Sequence, residues 1–156
     1  MKITYHIKPF AELSVGELHA AASLREQVFY LEQHVTALDA DAKDSSSVFL
    51  WAECEGHTIG FLRMIPRGIS YAESSIGRVC VAEPYRRSGI CREMMRRAIG
   101  YMVREWKTDA IRISAQSYLI PFYESLGFTV VSEEYLEAGI PHKKMLLMLA
   151  GSCGNE

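Results

Sequence analysis

A long amphipathic segment bracketed by two strand-like runs constrains this chain more than any other feature. Residues 89–106 place Ile90, Met94, Met95, Ala98, Ile99, Met102, Val103 and Trp106 on one stripe. Arg92, Glu93, Arg96, Arg97, Arg104 and Glu105 fall outside it. That spacing is the period of a helix with one buried face. Ser75 to Val81 forms a strand-like run before it, ended by Pro84. After it, Ala110 to Ala115 alternates Ile111 and Ile113 with Arg112 and Ser114. Strand, helix and strand in succession predict a parallel pair joined by a right-handed crossover.

The other elements predict antiparallel pairing. Val48 to Cys54 and Thr58 to Ile65 read as strands around a Glu55-Gly56-His57 hairpin turn. Residues 2–8 make a first strand. Ser14 and Glu17 have the spacing of a capping box for a helix over about 14–31. Residues 34–47 read as a loop. A short helix from Ser117 to about Leu126 is stopped by Gly127. Phe128 to Ser132 and Lys143 to Leu149 make the last strands, separated by a Gly139-Ile140-Pro141 loop. The expected fold class is α/β (α+β), a mixed sheet with helices on both faces.

At 156 residues the chain is expected to form one domain over 1–150 with a short tail at 151–156. The net charge of −2 speaks against a dedicated nucleic-acid binder. No apolar run is long enough to span a membrane, and the first residues lack a signal-peptide core, so the expected location is cytoplasmic. Cys54, Cys80, Cys91 and Cys153 show no metal-site spacing with each other or with histidine, so no metal is expected. Cys54 and Cys80 lie in apolar runs and are expected buried and reduced.

The turn between the parallel strand and the long helix is Arg86-Arg87-Ser88-Gly89-Ile90-Cys91. A glycine turn opening a helix offers backbone N–H groups at the positive end of the helix dipole, an anion site. The chain has neither a GxxxxGK[ST] loop nor a GxGxxG fingerprint, which leaves ATP, GTP and NAD(P) poorly supported. Arg86, Gly89 and Cys91 match the diphosphate pattern of Arg or Gln, two residues, Gly, one residue, then Gly or Ala, with Cys91 the one departure. Downstream lies Phe122-Tyr123-Glu124-Ser125-Leu126-Gly127-Phe128.

In these two motifs and in its order of elements the chain resembles the GCN5-related N-acetyltransferases (GNAT). A finer resemblance is to the ElaA-like bacterial branch. It rests on Leu24-Arg25-Glu26-Gln27-Val28-Phe29 with Glu32-Gln33, Asp39 with Asp41, Ile76-Gly77-Arg78-Val79, Ala115-Gln116 and Gly139-Ile140-Pro141-His142. The resemblance implies the acyl-CoA N-acyltransferase fold, a mostly antiparallel sheet with one splayed parallel pair. It implies acetyl-CoA as donor and an amine-bearing small molecule or peptide as acceptor. It allows a homodimer.

By the same resemblance, the strands at 75–82 and 110–116 splay apart, and the pantetheine arm lies between them. Backbone groups of Val79, Cys80 and Val81 then pair with the arm like an added strand. Backbone N–H groups of Arg87, Ser88, Gly89, Ile90 and Cys91 hold the pyrophosphate, which Arg86 or Arg87 neutralises. Gln116 and Tyr123 complete the cofactor contacts. Tyr123 is the implied acid for the leaving thiolate, because a phenol is protonated at neutral pH.

The base that frees the amine is left open among Glu32, Glu73, Glu83, His142 and a water chain. Where family members carry a strand glutamate, this chain has Ser75 and Gly77. That absence keeps a non-catalytic CoA-binding module as the alternative. Arg25, Glu32, Gln33 and His142 are the candidate substrate contacts, and Arg25 with Glu32 could equally be a structural ion network. Asp39, Asp41 and Asp44 read as a solvated loop or as a lure for a cationic amine. Arg92, Arg96 and Arg97 read as a solvated helix face, with Arg92 also within expected reach of a CoA phosphate.

Overall fold

The structure, a computed structural model, describes residues 2–149; the expected tail and Cys153 lie outside them. Eight strands form one sheet. They are β1 (Thr4–Pro9), β2 (Val48–Cys54), β3 (His57–Ile65), β4 (Ser74–Val81), β5 (Ala110–Gln116), β6 (Thr129–Val130), β7 (Tyr135–Glu137) and β8 (Ile140–Met148). The spatial order is β1-β2-β3-β4-β5-β8-β6, with β7 also on β8. Every pairing is antiparallel except β4 with β5.

Helices cover both faces. Alternation along β2 sends Phe49 and Trp51 to one side, where they join Phe61, Cys80 and the Ala21 and Leu24 side chains of α1 (Val15–Arg25). Leu50 and Ala52 join Leu62, Met64, Ile111 and Ile113 on the other side. There α2 (Ile90–Trp106) buries Met94, Met95, Ala98 and Met102 completely. Val103, at the edge of the apolar stripe, is 41% exposed, while Met102 beside it is fully buried and Trp106 still packs against the core. The Ser14–Glu17 capping box is present in both directions. No helix among the described residues is long and apolar enough to cross a membrane.

Three local expectations change. The first helix is not uniform to residue 31: α1 ends at Arg25 and Glu26–Glu32 continues as a π-helix. The Gln33 amide reaches five residues back to the Val28 carbonyl at 3.1 Å, and the Val35 amide reaches the Phe29 carbonyl at 2.8 Å. The loop expected at Gly139-Ile140-Pro141 is a two-residue hairpin at Ala138 and Gly139, with φ of 53° and 77°. That is the mirror-image turn whose twist suits paired strands, so Ile140 and Pro141 already lie in β8 opposite Glu137 and Leu136. The strand expected over 128–132 shortens to β6, because the Ser132 hydroxyl, and not a strand carbonyl, accepts the Lys144 amide at 2.8 Å.

The sheet is split at its one parallel seam. Only Ser74 with Ile111 and Ser75 with Arg112 are paired across it. Past them β5 stays on β8 through Gln116, while β4 stays on β3 through an irregular stretch between Phe61 and Arg63. Arg78 sits at the irregularity with φ of 54°, a left-handed conformation unusual for a side chain of its size. The two wings therefore diverge, and their facing backbone edges are exposed to whatever enters the gap. α3 (Ile120–Glu124) follows β5 beneath this opening.

Candidate active site

Two cavities flank the opening. One, of about 430 Å³, lies between β4 and the start of α2; Val79, Cys80, Val81, Arg86, Arg87, Gly89, Ile90, Cys91 and Tyr123 line it. The other, of about 300 Å³, lies between the wings and under the π-helical segment. Ile76, Gly77, Arg78 and Val79 form one wall of it, Ile113, Ser114 and Gln116 another. Gln33 and Phe29 roof it, and Glu137 and His142 close the side. Val79, Leu119 and Tyr123 line both, so the two cavities meet at Tyr123.

The anion turn has the form its sequence predicts. Gly89 is the N-cap of α2 with φ of 85°, and no side chain caps the helix. Arg87 is also left-handed, with φ of 63°. The first amides of a helix have no partner within it, so an uncapped N-terminus at a cleft leaves donors for an anion. Ser88 does not line the cleft; its hydroxyl donates back to the Tyr85 carbonyl and tightens the turn. Arg86 does not aim its charge freely into the cleft. Its Nε donates to the Val81 carbonyl at 2.7 Å and its Nη2 to Glu32 at 2.6 Å. The guanidinium thus clasps the end of β4 to the π-helical segment, and Arg87 carries the less committed charge.

Burial shapes the two reactive-looking groups here. Tyr123 is 6% exposed, and burial, with Cys91 adding to it, pushes its phenol above the usual value. It remains a protonated donor across the physiological range. Burial pushes the Cys91 thiol up to about 11, so Cys91 is a neutral packing residue and not a thiolate nucleophile.

The acceptor side holds groups that sequence reasoning placed incompletely. His142 lies at 6% exposure. Its Nδ1 is 2.6 Å from the Ile140 carbonyl, which can only accept, so Nδ1 carries the proton. In the neutral ring this leaves the Nε2 lone pair free, 3.9 Å from Glu137 Oε2. Glu137 was missed: in a short turn-flanking strand nothing marks it as different from surface carboxylates. Ser114 Oγ donates to it at 2.8 Å and accepts in turn from the Tyr135 hydroxyl. Gln33 and Gln116 are hydrogen-bonded over the cavity at 3.1 Å.

Arg25, Glu32, Glu73 and Glu83 are placed elsewhere. Arg25, the last residue of α1, is 2% exposed, its guanidinium on the Phe61 ring and bonded to Asp39 and Asp44 at 3.0 Å each. Glu32 is held by Arg86. Glu73 pairs bidentately with Arg112, and Glu83 is exposed on a turn; neither lines either cavity. The acidic loop is not simply solvated. Asp39, Asp41 and Asp44 interleave with Arg25, Arg63 and Arg78, a network of three cations and three anions. Long-range pairing of this kind has no local sequence pattern. Arg96 and Arg97 pair with Glu93, as a solvated helix face should. No group of three or more His, Cys, Asp or Glu among the described residues is arranged to hold a metal ion.

A sheet split at one parallel seam, with an uncapped helix N-terminus at the mouth of the split, defines the acyl-CoA N-acyltransferase class of fold. The chain belongs to the acetyltransferase (GNAT) domain family, which matches residues 14–149. It is 32% identical to Protein ElaA of Escherichia coli strain K12 over 136 residues, 85% of this chain and 88% of that protein. The crystal structure of Escherichia coli ElaA superposes with a TM-score of 0.88 at 28% identity, covering 94% of this chain and 99% of that one. An acyl-CoA N-acyltransferase from Pseudomonas aeruginosa superposes at 0.89 with 31% identity and the same coverage. Enzymes of this family use acyl-CoA as co-substrate and act on amine-bearing acceptors.

Proposed function

We propose that the protein is an N-acetyltransferase that moves the acetyl group of acetyl-CoA to a primary amine by direct attack in a ternary complex. The observation that carries this reading is the meeting of the two cavities at Tyr123. A donor in the larger cleft and an acceptor in the smaller one would present their reacting ends to each other there. Holding both reactants in one site supplies much of the acceleration.

The residues fit the donor. The uncapped amides at the start of α2 would hold the pyrophosphate, assisted by Arg87, while the β4 edge at Val79, unpaired across the seam, would hold the arm. When bound, the donor supplies an activated acyl thioester. An N–H of that edge would polarise the thioester carbonyl, a donor worth about 3 kcal/mol in such reactions.

His142 Nε2 is the base favoured by position: it lines the acceptor cavity and its lone pair is free. It takes one proton from the incoming ammonium. The amine nitrogen then forms its bond to the carbonyl carbon as the carbon–sulfur bond breaks. Tyr123 gives its proton to sulfur and is reprotonated by the second proton that leaves nitrogen.

The test is CoA release from acetyl-CoA across a panel of amines, with Tyr123→Phe alongside. Turnover that falls about 100-fold in kcat in the variant fits an acid role. CoA binding without turnover on any amine would favour the non-catalytic alternative, which the lack of a free carboxylate on β4 keeps in view.

A further inference from the structure

We infer that the acceptor is a small monoamine with an apolar body and no anionic group, bound through Glu137. This rests on the acyl-transfer reading of the same cavity.

Beside the neutral His142 and Tyr123, the charge facing that cavity comes from three side chains: Asp39, Arg78 and Glu137. Asp39 and Arg78 cancel. Arg78 Nη2 bonds the Asp39 carbonyl at 3.0 Å and Asp41 at 3.3 Å, and its Nε lies 2.9 Å from Asp39 Oδ1 without hydrogen-bond alignment. Asp39 is matched again by Arg25 at 3.0 Å.

Glu137 is different. Its ties among the described residues are a neutral hydroxyl, Ser114 Oγ, and the imidazole edge of His142. No lysine or arginine among the described residues lies within ion-pair distance of it. With His142 neutral, the cavity offers one uncompensated negative charge. It stands beside the lone pair proposed to take a proton, at 3.9 Å. One ammonium satisfies both groups: it donates to Glu137 Oε2 and gives a proton to His142 Nε2.

The remaining surface decides what the ammonium is attached to. Across the cavity stand Phe29, Val35, Ala37 and Leu38. Leu38 is 77% exposed, an apolar side chain at the cavity wall with little protein over it. An apolar body would be covered there. A carboxylate or phosphate on the acceptor would be repelled by Glu137, and the guanidinium facing the cavity is already compensated. A second ammonium would meet apolar side chains and the already paired Asp39. A cavity of about 300 Å³ holds one small molecule.

The experiment measures initial rates of CoA release at saturating acetyl-CoA with 2-phenylethylamine, phenylalanine, spermidine and a lysine-containing peptide. The expected result is a kcat/KM for 2-phenylethylamine about tenfold or more above each of the others. Glu137→Gln should raise its KM about tenfold with a smaller change in kcat, as loss of ground-state binding does, and Glu137→Asp should restore part of it. Thermal unfolding of both variants should match the parent. Preference for phenylalanine, spermidine or the peptide, or an unchanged KM in Glu137→Gln, would overturn the inference and leave the acyl-transfer reading standing. Absence of turnover with every amine would overturn both, and retained acetyl-CoA binding would then place the failure in the transfer step.

Discussion

Gln116, at the end of β5, donates its side-chain amide to the Gln33 side-chain oxygen at 3.1 Å, joining positions 83 residues apart. The bond ties the π-helical segment to one wing of the split sheet. Immediately beside it, Glu32 ties the same segment to Arg86 and so to the donor turn. Two consecutive residues thus connect the acceptor roof with the donor cleft. Gln116→Ala should remove a hydrogen bond worth about 1 kcal/mol and loosen the roof. The expected effect is an acceptor KM raised about fivefold with acetyl-CoA affinity unchanged, read from steady-state kinetics and calorimetry.

Asp44 bonds Arg25 at 3.0 Å and Arg63 at 2.8 Å inside the ion network. Removing one partner from a buried network leaves the others as uncompensated buried charge. Asp44→Asn should cost about 3–5 kcal/mol and lower the unfolding midpoint by about 10 °C, measured by denaturant titration and thermal scan.

Asp41 gives the network a pH dependence. Hydrogen bonds from Arg63 hold its carboxyl down at about 2, against 3.8 when unperturbed. A group whose folded value is depressed stabilises the fold above its unfolded value and loses that contribution as pH falls through the folded one. The window is therefore about pH 4 down to about pH 2. The loss is about 2 kcal/mol. Denaturant titrations at pH 6 and pH 2.5 check this, and Asp41→Asn should show a correspondingly smaller difference between them.

Gly89 has no atom within 4 Å of where a Cβ would stand, so a side chain there meets no neighbour. The cost of Gly89→Ala comes from the left-handed backbone alone, about 1 kcal/mol. The midpoint should fall by about 3 °C, and the thermal shift produced by CoA should shrink as the turn relaxes away from its φ of 85°.

Much of this architecture is local, and local features are legible. The stripe from Ile90 to Met102, the Ser14–Glu17 capping box and the Glu55-Gly56 turn each depend on residues within a few positions of one another. The anion turn belongs to the same class. The acceptor side is different. Arg25, Arg63 and Arg78 meet Asp39, Asp41 and Asp44 across separations of 14 to 39 residues. No periodicity announces that meeting, and the aspartates look like loop composition. The π-helical stretch is invisible for another reason: its apolar residues suit an α-helix equally well. His142 and Glu137 come together because Ala138 and Gly139 make a tight hairpin, where Gly139 and Pro141 suggest a loop.

The proposed function needs the donor and acceptor cavities to form one site whose junction is Tyr123. A crystal structure of the protein with CoA measures it directly. The expected result is the pyrophosphate against the amides of 87–91 and the CoA sulfur within about 4 Å of the Tyr123 hydroxyl, hydrogen-bond reach for sulfur. A CoA sulfur well outside that reach, or a pyrophosphate bound away from Gly89, would contradict it.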